Sequence, residues 1–295
     1  KNILEGTKSM KNLSNQHKGS FLAFIAVMLI TPDSIFIRLS NIETWGMLFY
    51  RGAIPFVVVL IGLIFFYKNN LLKALVGIGY PGIFYVISFS ICNITFIISI
   101  QNTNVANTLV MIAMAPMLSA ILGSVFLKEI PDRKTWIAII ITLISVTYIF
   151  HDSIEMGNFY GDLFGIITAF GLACNAVIAR YAKNKDLVPS ALIGKLCVAI
   201  FALFFVDNFS LLGTDLIFIP LMCIMCVAIP FVLVTIAPRF IPAEEVNLFF
   251  LLETIIGPFW VWMIIKEQPS IETIQGGVVI ILTIAIHSFL KLKKS

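Results

Sequence analysis

The sequence predicts an all-α integral membrane protein with ten transmembrane helices in two inverted five-helix repeats. Three observations predict it. Hydrophobic residues make up 59% of the chain and charged residues 12%, about half the charged share of a soluble domain. Lys and Arg crowd into alternate connections, which marks a fixed orientation in a bilayer. One unit is also written twice: Ala115-Pro116 through Lys128-Glu129-Ile130-Pro131, and Glu253-Thr254 through Lys266-Glu267-Gln268-Pro269.

Runs of roughly 20 apolar residues, enough to cross a bilayer as helix, fall at about 19–39, 43–67, 72–98, 103–127, 134–151, 161–181, 187–206, 214–236, 242–264 and 271–290. Residues 1–18 are polar and are expected to form a disordered cytoplasmic tail. The first run is too long for a signal-peptide core and lacks a small-x-small cleavage site, so it reads as a retained span. Residues 19–151 form the first repeat, residues 161–290 the second, and 291–295 a basic cytoplasmic tail. The connections leave no room for a soluble domain.

With the N-terminus inside, the outer ends hold only Arg38 and Lys266, while sixteen Lys and Arg lie in cytoplasmic segments. The net charge of +4 is therefore a topology signal and points to no nucleic acid. The two copies of the repeated unit are separated by five spans, an odd number, so the second copy should be inverted, as in alternating-access transporters. The first spans align as well, Gly19 through Arg38 with Gly161 through Arg180. Asp33 then faces Asn175, Arg51 faces Lys195, and Asn107 faces Glu245.

Asp33, Arg51, Lys195 and Glu253 lie inside spans. Each costs about 2.5–3.5 kcal/mol at mid-membrane unless paired or wetted. They are candidate substrate contacts: Arg51 can hold a carboxylate with two parallel bonds, and Lys195 acts as a point charge. The alternative is internal pairing, Asp33 with Arg51 and Glu253 with Lys195. Asp33 and Glu253 are also candidates for proton coupling, since burial makes ionisation of a carboxyl costly.

Asn104, Asn107 and Thr108 share a helix face, which should look into the bundle. Asn93, Asn175 and Asn247 extend this polar inventory. Tyr50, Tyr85 and Trp260 are further candidates for the cavity lining. Pro116 and Pro258 are candidate gating kinks in the fourth and ninth spans. Gly161-x-x-x-Gly165 and Gly276-Gly277 suggest a packing seam or a dimer contact, so the chain is a monomer or a homodimer. Cys223-x-x-Cys226 lies mid-span with no histidine nearby and reads as packing, so no metal or cofactor is expected.

These motifs resemble the EamA-type branch of the drug/metabolite transporter superfamily. The resemblance rests on Thr31-Pro32-Asp33-Ser34, Phe49-Tyr50-Arg51, Asn104-Val-Ala-Asn107-Thr108, Ala115-Pro116 through Lys128-Glu129, Ile241-Pro242-Ala243-Glu244, and Leu251-Leu252-Glu253-Thr254 through Lys266-Glu267. It covers residues 19–290 and departs from the family's commoner Glu-Pro at Thr254, with Pro258 four residues on. It implies ten helices in inverted repeats and a multi-pass protein of the bacterial inner membrane.

The leading reading is a secondary transporter of a small polar metabolite: an amino acid, a related zwitterion or an organic acid. It would use proton or counter-substrate coupling. The second is a proton-coupled exporter of cationic or amphipathic drugs, which needs Asp33 and Glu253 free. An intramembrane enzyme is disfavoured. The three histidines (His17, His151, His287) sit at termini or membrane edges, and no H-E-x-x-H, G-x-S-x-G or P-loop pattern occurs.

Overall fold

The computed structural model describes residues 2–128, 133–155 and 157–292. Within them the chain is helical between short connections. Hydrocarbon offers no partner for backbone N–H and C=O, so a spanning chain bonds them to itself. The helices are α1 (Asn2–Ile30), α2 (Asp33–Leu39), α3 (Thr44–Tyr67), α4 (Leu71–Val76), α5 (Gly79–Asn102), α6 (Val105–Ile112), α7 (Ala115–Phe126) and α8 (Arg133–Glu155) in the first half. The second half has α9 (Phe159–Tyr181), α10 (Val188–Leu203), α11 (Asp215–Met222), α12 (Ile229–Ile236), α13 (Ala243–Ile265) and α14 (Ile271–Leu292).

Among the described residues, seven segments are long and apolar enough to cross a membrane: Gln16–Leu39, Thr44–Val76, Gly79–Asn102, Val105–Phe126, Phe159–Tyr181, Asp215–Arg239 and Ala243–Ile265. Shorter apolar helices cover Trp136–Ile149, Val188–Leu203 and Ile271–Thr283. The protein is thus a multi-pass membrane protein. One expectation is corrected at the N-terminus. Residues 2–18 do not form an irregular tail but continue α1 backwards, there being no proline among them to stop the helix.

Prolines shape four segments differently. Thr31 and Pro32 form a turn that separates α1 from α2. Pro116 opens α7, where its missing N–H is no loss, after a break at Ala113-Met114. Pro258 instead sits inside the continuous α13, so the fourth span is broken where the ninth is only interrupted. Between α11 and α12, Cys223–Ala228 form a π-helical stretch just ahead of Pro230. Proline cannot donate to the preceding turn, and a wider turn is one way to accommodate it.

The helices pair in a pattern that the correspondence of the two halves exchanges. α3 packs on α10, α7 on α13, and α8 on α14. α5 packs on α9, and the counterpart of that pair is α12 on α1. Small residues let these helices close, as expected where lipid gives little apolar drive for association. A Cβ on Gly52 would lie 2.6 Å from the Ala199 amide nitrogen, and one on Gly171 would lie 2.8 Å from Cys92 Cβ.

Gly161, Gly165 and Gly276 are also seams inside the chain. They close on Asn102, on Met111 and Ser99, and on Ile149 respectively. They therefore act as a packing seam, one of the two roles that their spacing suggested. Of the first Lys-Glu-x-Pro unit, Glu129, Ile130 and Pro131 lie outside the described residues. Lys128 and Lys266, at equivalent places, both adopt left-handed backbone (φ 59° and 60°).

Candidate functional site

A cavity of about 120 Å³ is walled by α1, α2, α3, α5 and α6 from the first half and by α9, α10, α12 and α13 from the second. Its polar lining comes from Asp33, Arg51, Asn93, Thr168, Asn175, Lys195 and Glu253, and its apolar lining includes Phe89, Phe96, Phe231 and Phe250. The π-helical turn brings Cys226 and Val227 to the wall.

Asp33 is the first residue of α2, held there by the Pro32 turn. Its carboxylate accepts both arms of the Arg51 guanidinium: Nη1 donates to Oδ1 at 2.5 Å and Nη2 to Oδ2 at 2.7 Å. The guanidinium also lies 5.7 Å from the centre of the Phe96 ring. Both residues are buried, and the two-bond geometry is the one that offsets desolvation best. The expected Asp33–Arg51 pairing is therefore present.

Lys195 has a different environment. Gly194 allows α10 to close on α5, since a Cβ there would meet Phe89 Cδ1 at 2.8 Å. The Lys195 ammonium then donates to Asn93 Oδ1 at 2.5 Å and lies 5.4 and 5.6 Å from the Phe89 and Phe231 ring centres. Asn93 is fixed in turn by its Nδ2, which donates to Phe89 O at 2.7 Å. The ring faces attract the cation without neutralising it.

Glu253, on α13, is 3% exposed and lines the same cavity. The alternative pairing of Glu253 with Lys195 is not found: among the described residues the ion pairs are Arg51–Asp33 and Arg38–Glu267. Asn175 Oδ1, also on the cavity wall, is buried without a hydrogen-bond partner.

Five of the sequence-derived candidates thus meet at the cavity: Asp33, Arg51, Asn175, Lys195 and Glu253. The other five lie off it. The Tyr50 hydroxyl donates to Phe209 O at 2.5 Å, and Tyr85 shares a 3.0 Å hydrogen bond with Thr235. Asn107 accepts from Thr273 Oγ1 at 2.5 Å and donates to Asp162 at 3.4 Å. Asn247 donates to Ser119 at 2.5 Å, and Trp260 packs into a core cluster with its Nε1 unbonded. Tyr85, Asn107 and Asn247 are buried in the bundle interior, but interior and cavity are different places, and the Tyr50 hydroxyl lies at an exposed edge.

Sequence reasoning missed the aromatic walls and the Asn93–Lys195 bond. Asn93 was already in the polar inventory, and Phe89 stands four residues before it on the same helix face, a spacing that could have flagged the aromatic wall. Phe231 gave no such signal, because it follows the π-helical stretch.

The sequence matches the EamA-like transporter family over residues 17–151 and again over 159–289. No functionally curated protein matches it. Among solved structures, one described only as the crystal structure of a protein aligns with a TM-score of 0.69 at 12% identity. That alignment covers 93% of this chain and 98% of the other, a likeness of fold alone. Two family matches that between them span both halves of the helical bundle make this chain a member of the EamA-like transporter family.

Proposed function

We propose that the protein is a secondary active transporter carrying a small polar metabolite through the central cavity by alternating access, the metabolite being an amino acid, a related zwitterion or an organic acid. In this reading ten spans form two inverted repeats in a bacterial inner membrane, with both termini cytoplasmic. The exchanged helix pairings and the doubled family match support it.

The observation that carries the substrate class is the difference between two charge sets. Asp33 and Arg51 satisfy each other. Lys195 and Glu253 face the same cavity without pairing, which is costly in a membrane unless a ligand completes them. A zwitterion does so, its carboxylate accepting from the Lys195 ammonium and its amine donating to the Glu253 carboxylate. The drug-exporter reading needs Asp33 free, and the Arg51 fork holds it. Glu253 remains the candidate for proton coupling, and transport indifferent to a pH gradient would remove it.

The test is thermal unfolding of the purified protein with matched ligands: an amino acid, the amine lacking its carboxylate, and the acid lacking its amine. A ligand at a hundred times its Kd adds about 2.7 kcal/mol to stability. The intact zwitterion should raise Tm most, and Lys195→Gln should erase the difference between zwitterion and amine. Equal stabilisation by the bare amine would overturn the assignment in favour of a cation carrier.

A further inference from the structure

The short helix α2 joins the cavity to a second charged cluster at the end of the bundle that carries Arg38 and Glu267. Asp33 at one end of α2 is bonded to Arg51. Arg38, five residues on and so roughly 7.5 Å along the axis, lies at the other. Its Nε is 3.3 Å from Glu267 Oε2, and its Nη2 donates to Thr103 O at 2.6 Å. Glu267 Oε1 accepts at 2.8 Å from the amide of Val105, the first residue of α6. The left-handed turn at Lys266 brings Glu267 back toward the bundle after α13 ends. One cluster therefore ties the first span, the turn between the third and fourth, and the end of the ninth.

We infer that α2 is a lever and that the Arg38–Glu267–Thr103–Val105 cluster is the latch closing this face of the transporter. Three features give α2 freedom to move as a unit. The Thr31-Pro32 turn cuts it from α1, it is only seven residues long, and an extended residue, Ser40, follows it. Its two ends are pinned, in the cavity by the two-bond Asp33–Arg51 pair and at the face by the Arg38–Thr103 hydrogen bond and the Arg38–Glu267 ion pair. A ligand held by Lys195 and Glu253 lies against the Asp33–Arg51 pair in the same cavity, and any displacement of that pair reaches Arg38 through α2. The latch groups are partly exposed, 24% and 20% of the Arg38 and Glu267 side chains, so water can solvate them when they part. This inference rests on the alternating-access reading above, but its readout needs no substrate, so failure of the ligand screen and failure of the latch are separable.

The test uses the full chain in vesicles and the native cavity cysteine Cys226. A membrane-impermeant methanethiosulfonate is added to the Glu267 face or to the opposite face, and Cys226 labelling is followed by peptide mass. Glu267→Gln keeps an acceptor for Val105 but loses the ion pair, and Asp33→Asn cuts the inner pin. Both should speed labelling from the Glu267 face, Glu267→Gln by about two- to fivefold, the weight of one partly exposed ion pair, with no rise from the opposite face. Unchanged labelling in Glu267→Gln would overturn the latch. An equal rise from both faces would mean general loosening and would overturn it too. A rise in Glu267→Gln with none in Asp33→Asn would overturn the lever.

Discussion

Arg51 ends in a planar fork that one carboxylate saturates, whereas Lys195 ends in a point charge that an amide oxygen and two ring faces leave unsaturated. The two residues align in the repeats, so in the proposed carrier Arg51 has the structural part and Lys195 the recognising one. Removing Arg51 strands a buried Asp33. Arg51→Met should cost about 3–5 kcal/mol, while the double variant Arg51→Met/Asp33→Asn should lose less than the two single losses added. A double-mutant cycle of unfolding in detergent reads this coupling, and simple additivity would contradict the pair. At this scale the sequence was half legible. The four intramembrane charges stood out because charge in a span is rare, and all four do line the cavity. Of their partners, Asp33 for Arg51 was among the alternatives, but the partner of Lys195 was not: pairing depends on which helices meet, and Asn93 reaches Lys195 only because Gly194 lets α10 close on α5.

Helix boundaries follow from apolar runs, and most were readable. The interruptions were less so. A proline announces that a helix is disturbed, but packing decides whether it breaks, as before Pro116, continues, as at Pro258, or widens, as ahead of Pro230. Glycine contacts are likewise decided by the neighbour. Gly52 meets backbone, the Ala199 nitrogen and the Lys195 carbonyl oxygen at 2.6 and 2.8 Å, and neither can move aside alone. Gly52→Val should therefore lower stability by about 1–3 kcal/mol through overpacking and displace Lys195. Gly62 has nothing within 4 Å of a would-be Cβ, so Gly62→Ala should gain about 0.8–1.0 kcal/mol of helix propensity. Melting of the two variants side by side checks both, and a Gly52→Val protein as stable as the parent would contradict the close α3–α10 contact.

Across the molecule the duplication is the organising fact. The left-handed backbone at Lys128 and Lys266 is uncommon for a residue with a side chain and costs roughly 1–2 kcal/mol, so its recurrence at equivalent positions marks a shared turn. The helix pairings obey the same correspondence, and the cavity lies where the two halves meet. Yet the polar lining is unlike between halves: Asp33 faces Asn175, and Ala115 faces Glu253. A near-symmetric scaffold suits two alternately open states, and an asymmetric lining suits one substrate with two different ends. Counterflow tests this most directly. Proteoliposomes preloaded with the unlabelled amino acid selected by thermal shift should take up the labelled compound faster than empty ones. The flux should saturate, and Lys195→Gln should abolish it while the folded protein persists. Flux that rises linearly with concentration and ignores the preload, or that survives Lys195→Gln unchanged, would contradict a carrier built around this cavity.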